Sequence, residues 1–292
     1  MICLFVATSS SNGLAALLAR EFDDKIVRIE KKIFPDGELY VKIPPFKDDY
    51  AVVVSSLYKP QNEHLMELLF VLEALNGLNI KKIIVVIPYL AYARQDKRFL
   101  EGEPISVKVV LSSIEMNGVS AVITVDVHKE DSLKEWLNVP YDNIIPVKEV
   151  AEYFRKIKNV KVLAPDKGAL HRAKLIAESL GTEYDYLEKF RDRITGEVRI
   201  LPKNLRFEGN NILIVDDIIS TGGTMALAAR SALENNALKV YAYGTHALLV
   251  KGALDRLYEA GIEEVVSTNT VLSPITKISV HLSVKESLKK FL

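Results

Sequence analysis

Short β-branched runs alternate with stretches of helical period along almost the whole chain, and this alternation limits the possible folds more than any other feature. Apolar runs occur at Tyr50–Ser55, Lys82–Ile87, Val119–Asp126, Val160–Ala164, Asn211–Asp216, Lys239–Thr245 and Glu263–Ser267. Between them, His64–Leu75, Ile105–Met116, Ala169–Leu180 and Met225–Asn235 repeat apolar residues at helical spacing. Strands that read as continuous Val and Ile are buried on both faces, which requires a parallel sheet covered by helices on each side. An α/β fold follows. The opening MICLFVATSSSNG fits the same scheme as a buried first strand. It has no basic residues ahead of an apolar run of only about six, short of the roughly 7–15 of an export signal.

The pattern occurs twice. YAVVVSSLYKPQNEHLMELLFVLEALNGLNIKKIIVVIPY can be laid over NNILIVDDIISTGGTMALAARSALENNALKVYAYGTHA, strand on strand and helix on helix, at an offset of roughly 160 residues. EMNGVSAVITVD matches YEAGIEEVVSTN at a smaller offset, so the first half carries about 17 extra residues near PYLAYARQDKRFLEGEP. Two duplicated domains are expected, 1–145 and 146–292, meeting in the Pro-containing loop around Asn143–Lys148. The plainer alternative is that any two βαβ runs look alike.

One stretch, ILIVDDIISTGGT, asks for a ligand. An apolar strand ends in Asp216 and Asp217, and Ser220, Thr221, Gly222, Gly223 and Thr224 open the helix behind it. Open parallel sheets bind ligands at the carboxyl ends of their strands. Backbone N–H groups at a helix start, three hydroxyls and glycines that permit a tight curl suit a phosphate. The chain has neither a Walker GxxxxGK[ST] loop nor the GxGxxG of a dinucleotide fold there. Paired carboxylates accept from neighbouring hydroxyls, so a phosphate beside a vicinal diol, as in a ribose 5-phosphate, is the ligand that uses both halves. Lys plus Arg and Asp plus Glu both number 38, which removes the global field a nucleic-acid binder needs and leaves a local anion site.

Other stretches carry weaker signals. YARQDKR gathers Arg94, Lys97 and Arg98 around one aromatic ring, suited to a base and a polyphosphate or to plain solvation. His128 and Asp166 each follow a strand; a lone histidine there is commonly structural, whereas a carboxylate suits hard Mg²⁺. KFRDRITGE is either a hairpin turn or a charged lid. His64, His171, His246 and His281 read as packing, and Trp136 as packing or subunit contact. Cys3 is the single cysteine, which excludes an internal disulfide and suits a reducing compartment. No stretch approaches the roughly 18 apolar residues of a membrane span, so a soluble, cytoplasmic protein without a membrane partner is expected.

With these residues in view, VDDIISTGGT resembles the ribose-5-phosphate loop shared by type I phosphoribosyltransferases and the ribose-phosphate pyrophosphokinase family. Further stretches, in order along the chain, resemble the pyrophosphokinase family. FPDGELYVKI matches its adenine-binding element, which usually reaches across a subunit contact, and implies Phe34, Asp36, Gly37 and Glu38 as ATP-binding residues. YARQDKR matches the segment that holds ATP, with Arg94 and Gln95 as the binding pair. VDVH and PDKG match the elements that supply the Mg²⁺ ligands His128 and Asp166, and LEKFRDRITGE matches the mobile catalytic loop with Lys189 and Arg191. The resemblance implies two phosphoribosyltransferase-type domains and transfer of the pyrophosphoryl group of ATP to ribose 5-phosphate. It also implies Mg²⁺ as cofactor and a homo-oligomer built from dimers. Asp216, Asp217, Ser220–Thr224 and Arg191 would bind ribose 5-phosphate.

The chain departs from the family pattern in places. KEDSLKEW replaces a Gln-Gly-Phe-Phe-like continuation after VDVH, IPPFKDDY replaces a Val-Arg-Gly segment tied to allosteric control, and Ser220 stands where an Asp is usual. The chain shows no Gly-x-Ser-x-Gly elbow or reactive-cysteine context, so direct displacement is expected rather than a covalent intermediate. Two other readings compete: a phosphoribosyltransferase that consumes phosphoribosyl pyrophosphate, and a catalytically silent regulatory relative.

Overall fold

The structure, a computed structural model, describes residues 3–191, 198–202 and 206–292, and the side chains of these except at 189–191 and 198–202. The chain divides into two compact units, Met1–Ile144 together with Val280–Leu292, and Ile145–Ser279.

The first unit is built on β1 (Leu4–Ala7), β2 (Lys25–Arg28), β5 (Tyr50–Val54), β6 (Lys82–Ile87), β7 (Ala121–Val125) and β8 (Tyr141–Ile144), with β3 (Glu30–Ile33) and β4 (Leu39–Lys42) as a separate hairpin. The six sheet strands pair in parallel in the order β2-β1-β5-β6-β7-β8. Helices α1 (Leu14–Phe22), α2 (Gln61–Gly77), α3 (Ser106–Met116) and α4 (Asp131–Trp136) follow individual strands, and α9 (His281–Leu288) returns from the end of the chain. Phe5, Val52, Val54, Ile84 and Ile123 of the strands pack with Leu14 and Leu18 of α1. Val280, Val284 and Leu288 complete the same cluster. A domain running from 146 to 292 therefore differs from the structure at its end: this apolar stripe of α9 is buried in the first unit.

The second unit contains α5 (Val147–Phe154), β9 (Val160–Ala164), α6 (Leu170–Leu180), β10 (Tyr184–Arg191), β11 (Val198–Pro202), β12 (Asn211–Ile219), α7 (Gly223–Glu234), β13 (Lys239–Ala247), α8 (Ala253–Glu259), β14 (Ile262–Thr268) and β15 (Thr276–Ile278). Its order is β11-β10-β9-β12-β13-β14-β15, parallel except for the β10–β11 hairpin. Apart from the hairpins, both sheets read second strand, first strand, then the remaining four in chain order. That shared order supports duplication over chance likeness of βαβ runs.

β12 is longer than its sequence suggests. The expected end is Asp216, yet pairing with β13 continues through Ile218 and Ile219, whereas pairing with β9 stops at Ile214. The two carboxylates thus lie in a half-paired extension beyond β9. Among the described residues no helix is long and apolar enough to cross a membrane.

Candidate active site

The carboxyl edge of the second sheet gathers the largest set of expected residues. β12 carries Asp216 and Asp217, and a few residues later Gly222 takes φ 74°, where a side chain is strained, to turn the chain into α7. A Cβ at Gly222 would meet Leu257 Cγ at 3.0 Å and the Ala253 carbonyl at 3.2 Å, so α8 seats tightly against the turn. The carbonyls of this loop are held from outside: Leu248 and Leu249 N–H donate to Ile219 O at 3.0 Å, Val250 N–H donates to Ser220 O at 3.1 Å, and Arg256 Nη1 donates to Thr221 O. With its carbonyls taken and the first-turn N–H groups of α7 lacking helical partners, the loop offers donors outward. Thr221 and Thr224 are exposed, and Ser220 and Gly223 half-buried.

The two carboxylates have different surroundings. Asp217 is buried, and its Oδ2 stands 3.7 Å from Nη2 of Arg172 in the first turn of α6, itself buried. Asp216 is half-buried and accepts from Asp217 N–H at 2.9 Å. Burial, and then the charge of Asp217, push the Asp216 carboxyl up to about 8, well above the ordinary carboxylate range. Arg172 is a residue that sequence reading misses. It sits in an ordinary helical stretch, and only folding brings it to Asp217, 45 positions away. Asp166 follows β9 on the same edge, exposed, and its Oδ1 accepts from Gly168 N–H at 2.8 Å to cap the short turn that opens α6. Lys189 and Arg191 fall on β10 by backbone pairing; their side chains, and residues 192–197 of the expected catalytic loop, lie outside the described residues.

The first unit holds the other expected residues. Phe34–Glu38 form the turn between β3 and β4, closed by Phe34 N–H to Glu38 O at 2.8 Å and Gly37 N–H to Phe34 O at 2.9 Å. Asp36 Oδ1 accepts from Glu38 N–H at 3.2 Å, and the Phe34 ring lies edge-on to Tyr40. Arg94 is exposed, and Gln95 Oε1 accepts from Ser106 Oγ at 3.2 Å at the start of α3. The expected cluster of cations around one ring is not what forms. Tyr92 donates to Asn62 of α2, Lys97 lies over Phe99, and Arg98 Nε donates to the Glu103 carbonyl at 3.1 Å. Lys97 and Arg98 thus have other local partners. His128 is exposed just past β7, and its neighbour Lys129 pairs with Asp96 at 2.5 Å, which brings the His128 loop to the 92–98 segment. Burial raises the Asp96 carboxyl, but the hydrogen bond and charge of Lys129 outweigh it and hold the pKa below the ordinary value. His246 is buried with Nδ1 2.9 Å from Thr270 Oγ1, in keeping with a packing role.

Comparison with known proteins gives a consistent answer. Residues 3–118 match the family model described as the N-terminal domain of ribose phosphate pyrophosphokinase, and residues 147–270 match the phosphoribosyl transferase domain model. The ribose-phosphate pyrophosphokinase of Sulfolobus acidocaldarius is 43% identical over 291 residues, covering 98% of this chain and 99% of that one. Its counterpart from Pyrococcus furiosus is 46% identical over 256 residues, 87% and 90% of the two chains. Among solved structures, a phosphoribosylpyrophosphate synthetase from Mycobacterium smegmatis superposes with a TM-score of 0.87 at 27% identity, over 100% of this chain and 99% of the other. Matches that run through both units from end to end set aside a simple phosphoribosyltransferase: this chain belongs to the ribose-phosphate pyrophosphokinase family.

Proposed function

We propose that this protein transfers the pyrophosphoryl group of ATP to the C1 hydroxyl of ribose 5-phosphate, giving 5-phosphoribosyl 1-pyrophosphate and AMP for nucleotide biosynthesis. The observation that carries this reading is the β12–α7 junction, where the Asp216–Asp217 pair closely precedes a helix start that offers N–H groups and hydroxyls. In the reaction the C1 hydroxyl oxygen bonds to the β-phosphorus, the bond from that phosphorus to the oxygen bridging the α-phosphate breaks, and AMP leaves with the bridging oxygen. The hydroxyl proton passes to solvent. Such displacement depends on positioning and on charge stabilisation.

Each residue has a part in this scheme. Asp216 and Asp217 take the ribose hydroxyls, with Arg172 placing a positive charge 3.7 Å from Asp217. Ser220, Thr221, Gly222, Gly223 and Thr224 take the 5-phosphate, joined by Arg191. Phe34, Asp36, Gly37 and Glu38 hold the adenine end of ATP, and Arg94 and Gln95 hold the nucleotide from the 92–98 segment. Lys189 and Arg191 meet the charge that develops on the transferred group; a single donor of this kind typically contributes about 100–1000-fold in rate. Mg²⁺ ions would be held by His128 in the first unit and by Asp166 in the second, where they would neutralise phosphate oxygens. Among the described residues no three or more His, Cys, Asp or Glu are gathered. A single protein ligand at each position fits an ion that fills the rest of its shell with phosphate and water.

A homo-oligomer built from dimers belongs to the same proposal. Phe34 and Ile33 at the hairpin are 45% and 58% exposed, apolar surface suited to meeting a partner subunit. A cytoplasmic location without a nucleic-acid partner accords with the balanced charge and the single reduced cysteine. The assay uses ATP labelled at the β-phosphate, with Mg²⁺ and ribose 5-phosphate. The label is expected in the sugar product with one AMP formed per label transferred. Release of ADP, or no AMP at all, would overturn the assignment, the latter in favour of a silent relative.

A further inference from the structure

Glu67 on α2 is a fully buried carboxylate, and the activity proposed above gives it no task. A buried carboxylate is costly unless it is paired and hydrogen-bonded. Its Oε1 accepts from Ser9 N–H at 2.7 Å, and its Oε2 accepts from Ser9 Oγ at 2.6 Å. The remaining partner is Lys31 of β3, whose Nζ stands 2.7 Å from Oε2 and 2.6 Å from Glu63 Oε1, one helical turn earlier on α2. Lys31 Nζ also donates to Ser9 Oγ at 3.2 Å. Two acids at i and i+4 repel each other on a helix unless a cation stands between them, and Lys31 supplies that cation. Burial lowers the Lys31 pKa, yet the bonds to Glu63 and Glu67 outweigh it and leave the amine above its ordinary value.

Lys31 does not lie on the main sheet. β3 and β4 pair only with each other, in a two-stranded sheet of their own, with the Phe34–Glu38 turn at its tip. The ribbon is seated on the unit where β4 packs on α2 and where Lys31 enters the two carboxylates. The same end of α2 holds the second nucleotide segment, because Asn62, one residue before Glu63, accepts from Tyr92. We infer that Lys31 is a positioning residue: its clamp on Glu63 and Glu67 fixes the Phe34–Glu38 hairpin to the helix that also mounts the 92–98 segment, and so sets the affinity for ATP. The inference rests on the hairpin being an ATP-binding element.

Lys31→Met removes the clamp and keeps the aliphatic stem. Because it leaves Glu67 buried without its cation, Lys31→Met/Glu67→Gln is made beside it to remove the stranded charge. In both variants the KM for ATP should rise about tenfold, the ratio that corresponds to 1.4 kcal/mol, while kcat and the KM for ribose 5-phosphate stay within about twofold. Amide exchange at Phe34 and Gly37 should speed up in the same variants, since their N–H groups close the turn. Phe34→Ala, which acts at the hairpin itself, separates the two ideas. If Phe34→Ala leaves ATP affinity unchanged, the hairpin reading fails. If Phe34→Ala raises the KM for ATP but the folded double variant does not, the clamp inference is overturned. An equal rise in both KM values would also overturn it, by assigning Lys31 to general stability.

Discussion

Gly244 in β13 lies directly across from Asp216, and replacing it with alanine strains the acceptor site from behind. A Cβ there would meet Ile219 Cγ1 at 2.4 Å, Cδ1 at 2.9 Å and the Ile219 backbone nitrogen at 3.3 Å, against ordinary contact from 3.4 Å outward. Ile219 must therefore retreat by about 1 Å, and little lets it move. It is buried among Met225, Ala247 and Leu257, and its carbonyl is held by two N–H groups at 3.0 Å. Overpacking of this kind costs about 1–3 kcal/mol, and each kcal/mol lowers Tm by about 2–4 °C in a domain of 150–250 residues. Ser220 follows Ile219, so the displacement passes into the phosphate loop, where a shift of about 1 Å can cost up to roughly 100-fold in rate. In steady-state assays Gly244→Ala should lower kcat/KM for ribose 5-phosphate by at least about tenfold while leaving the KM for ATP within about threefold. Ile219→Ala removes both side-chain carbons that clash, so the double variant should be less destabilised than the sum of the single ones. A Gly244→Ala protein with unchanged Tm and unchanged ribose 5-phosphate kinetics, or strictly additive losses in the double variant, would refute this reasoning.

Two further outcomes are expected. Folding holds the Asp216 proton more tightly than the unfolded chain does, since its pKa rises from 3.8 to about 8; the stability this adds is complete below about 4 and lost as pH rises to about 8. Urea titrations across that window should show a decline no steeper than about 1.4 kcal/mol per pH unit from this group, and Asp216→Asn should flatten it; an identical pH profile in the variant would contradict the raised Asp216 pKa. His128→Ala and Asp166→Ala should each raise the Mg²⁺ concentration giving half-maximal activity while ribose 5-phosphate binding stays measurable; unchanged titrations in both would leave Asp166 with only its cap on Gly168.

Local pattern makes part of this molecule legible and long-range contact conceals the rest. β6 and β9 fall where the apolar runs place them, because a strand buried on both faces has no polar alternation to blur its ends. The Asp216–Thr224 motif is legible because strand, carboxylates and helix start are contiguous in the chain. The extension of β12 to Ile219 depends on β13 running alongside, which no property of IIS reveals. Arg172 reaches Asp217 only through the packing of α6, and α9 joins the first unit only because Leu14 and Phe5 there need an apolar cover. Glu67 sits in a stretch whose period predicts a helix, but the cation that makes its burial tolerable comes from 36 residues earlier.

The most direct test of the central claim, that the β12–α7 junction holds ribose 5-phosphate, is equilibrium binding of ribose 5-phosphate, ribose and ATP to Thr224→Val and Asp216→Asn. Thr224, in the first turn of α7, is proposed to touch only the phosphate, and Asp216 only the ribose hydroxyls. A lost hydrogen bond to a charged group is worth about 1.5–3 kcal/mol, roughly 10- to 150-fold in affinity. Thr224→Val should narrow the preference for ribose 5-phosphate over ribose by that order, and Asp216→Asn should weaken both sugars alike, with ATP binding unchanged in each. Normal ribose 5-phosphate affinity in both variants together with weakened ATP binding would contradict the account and place the nucleotide, not the sugar, at this junction.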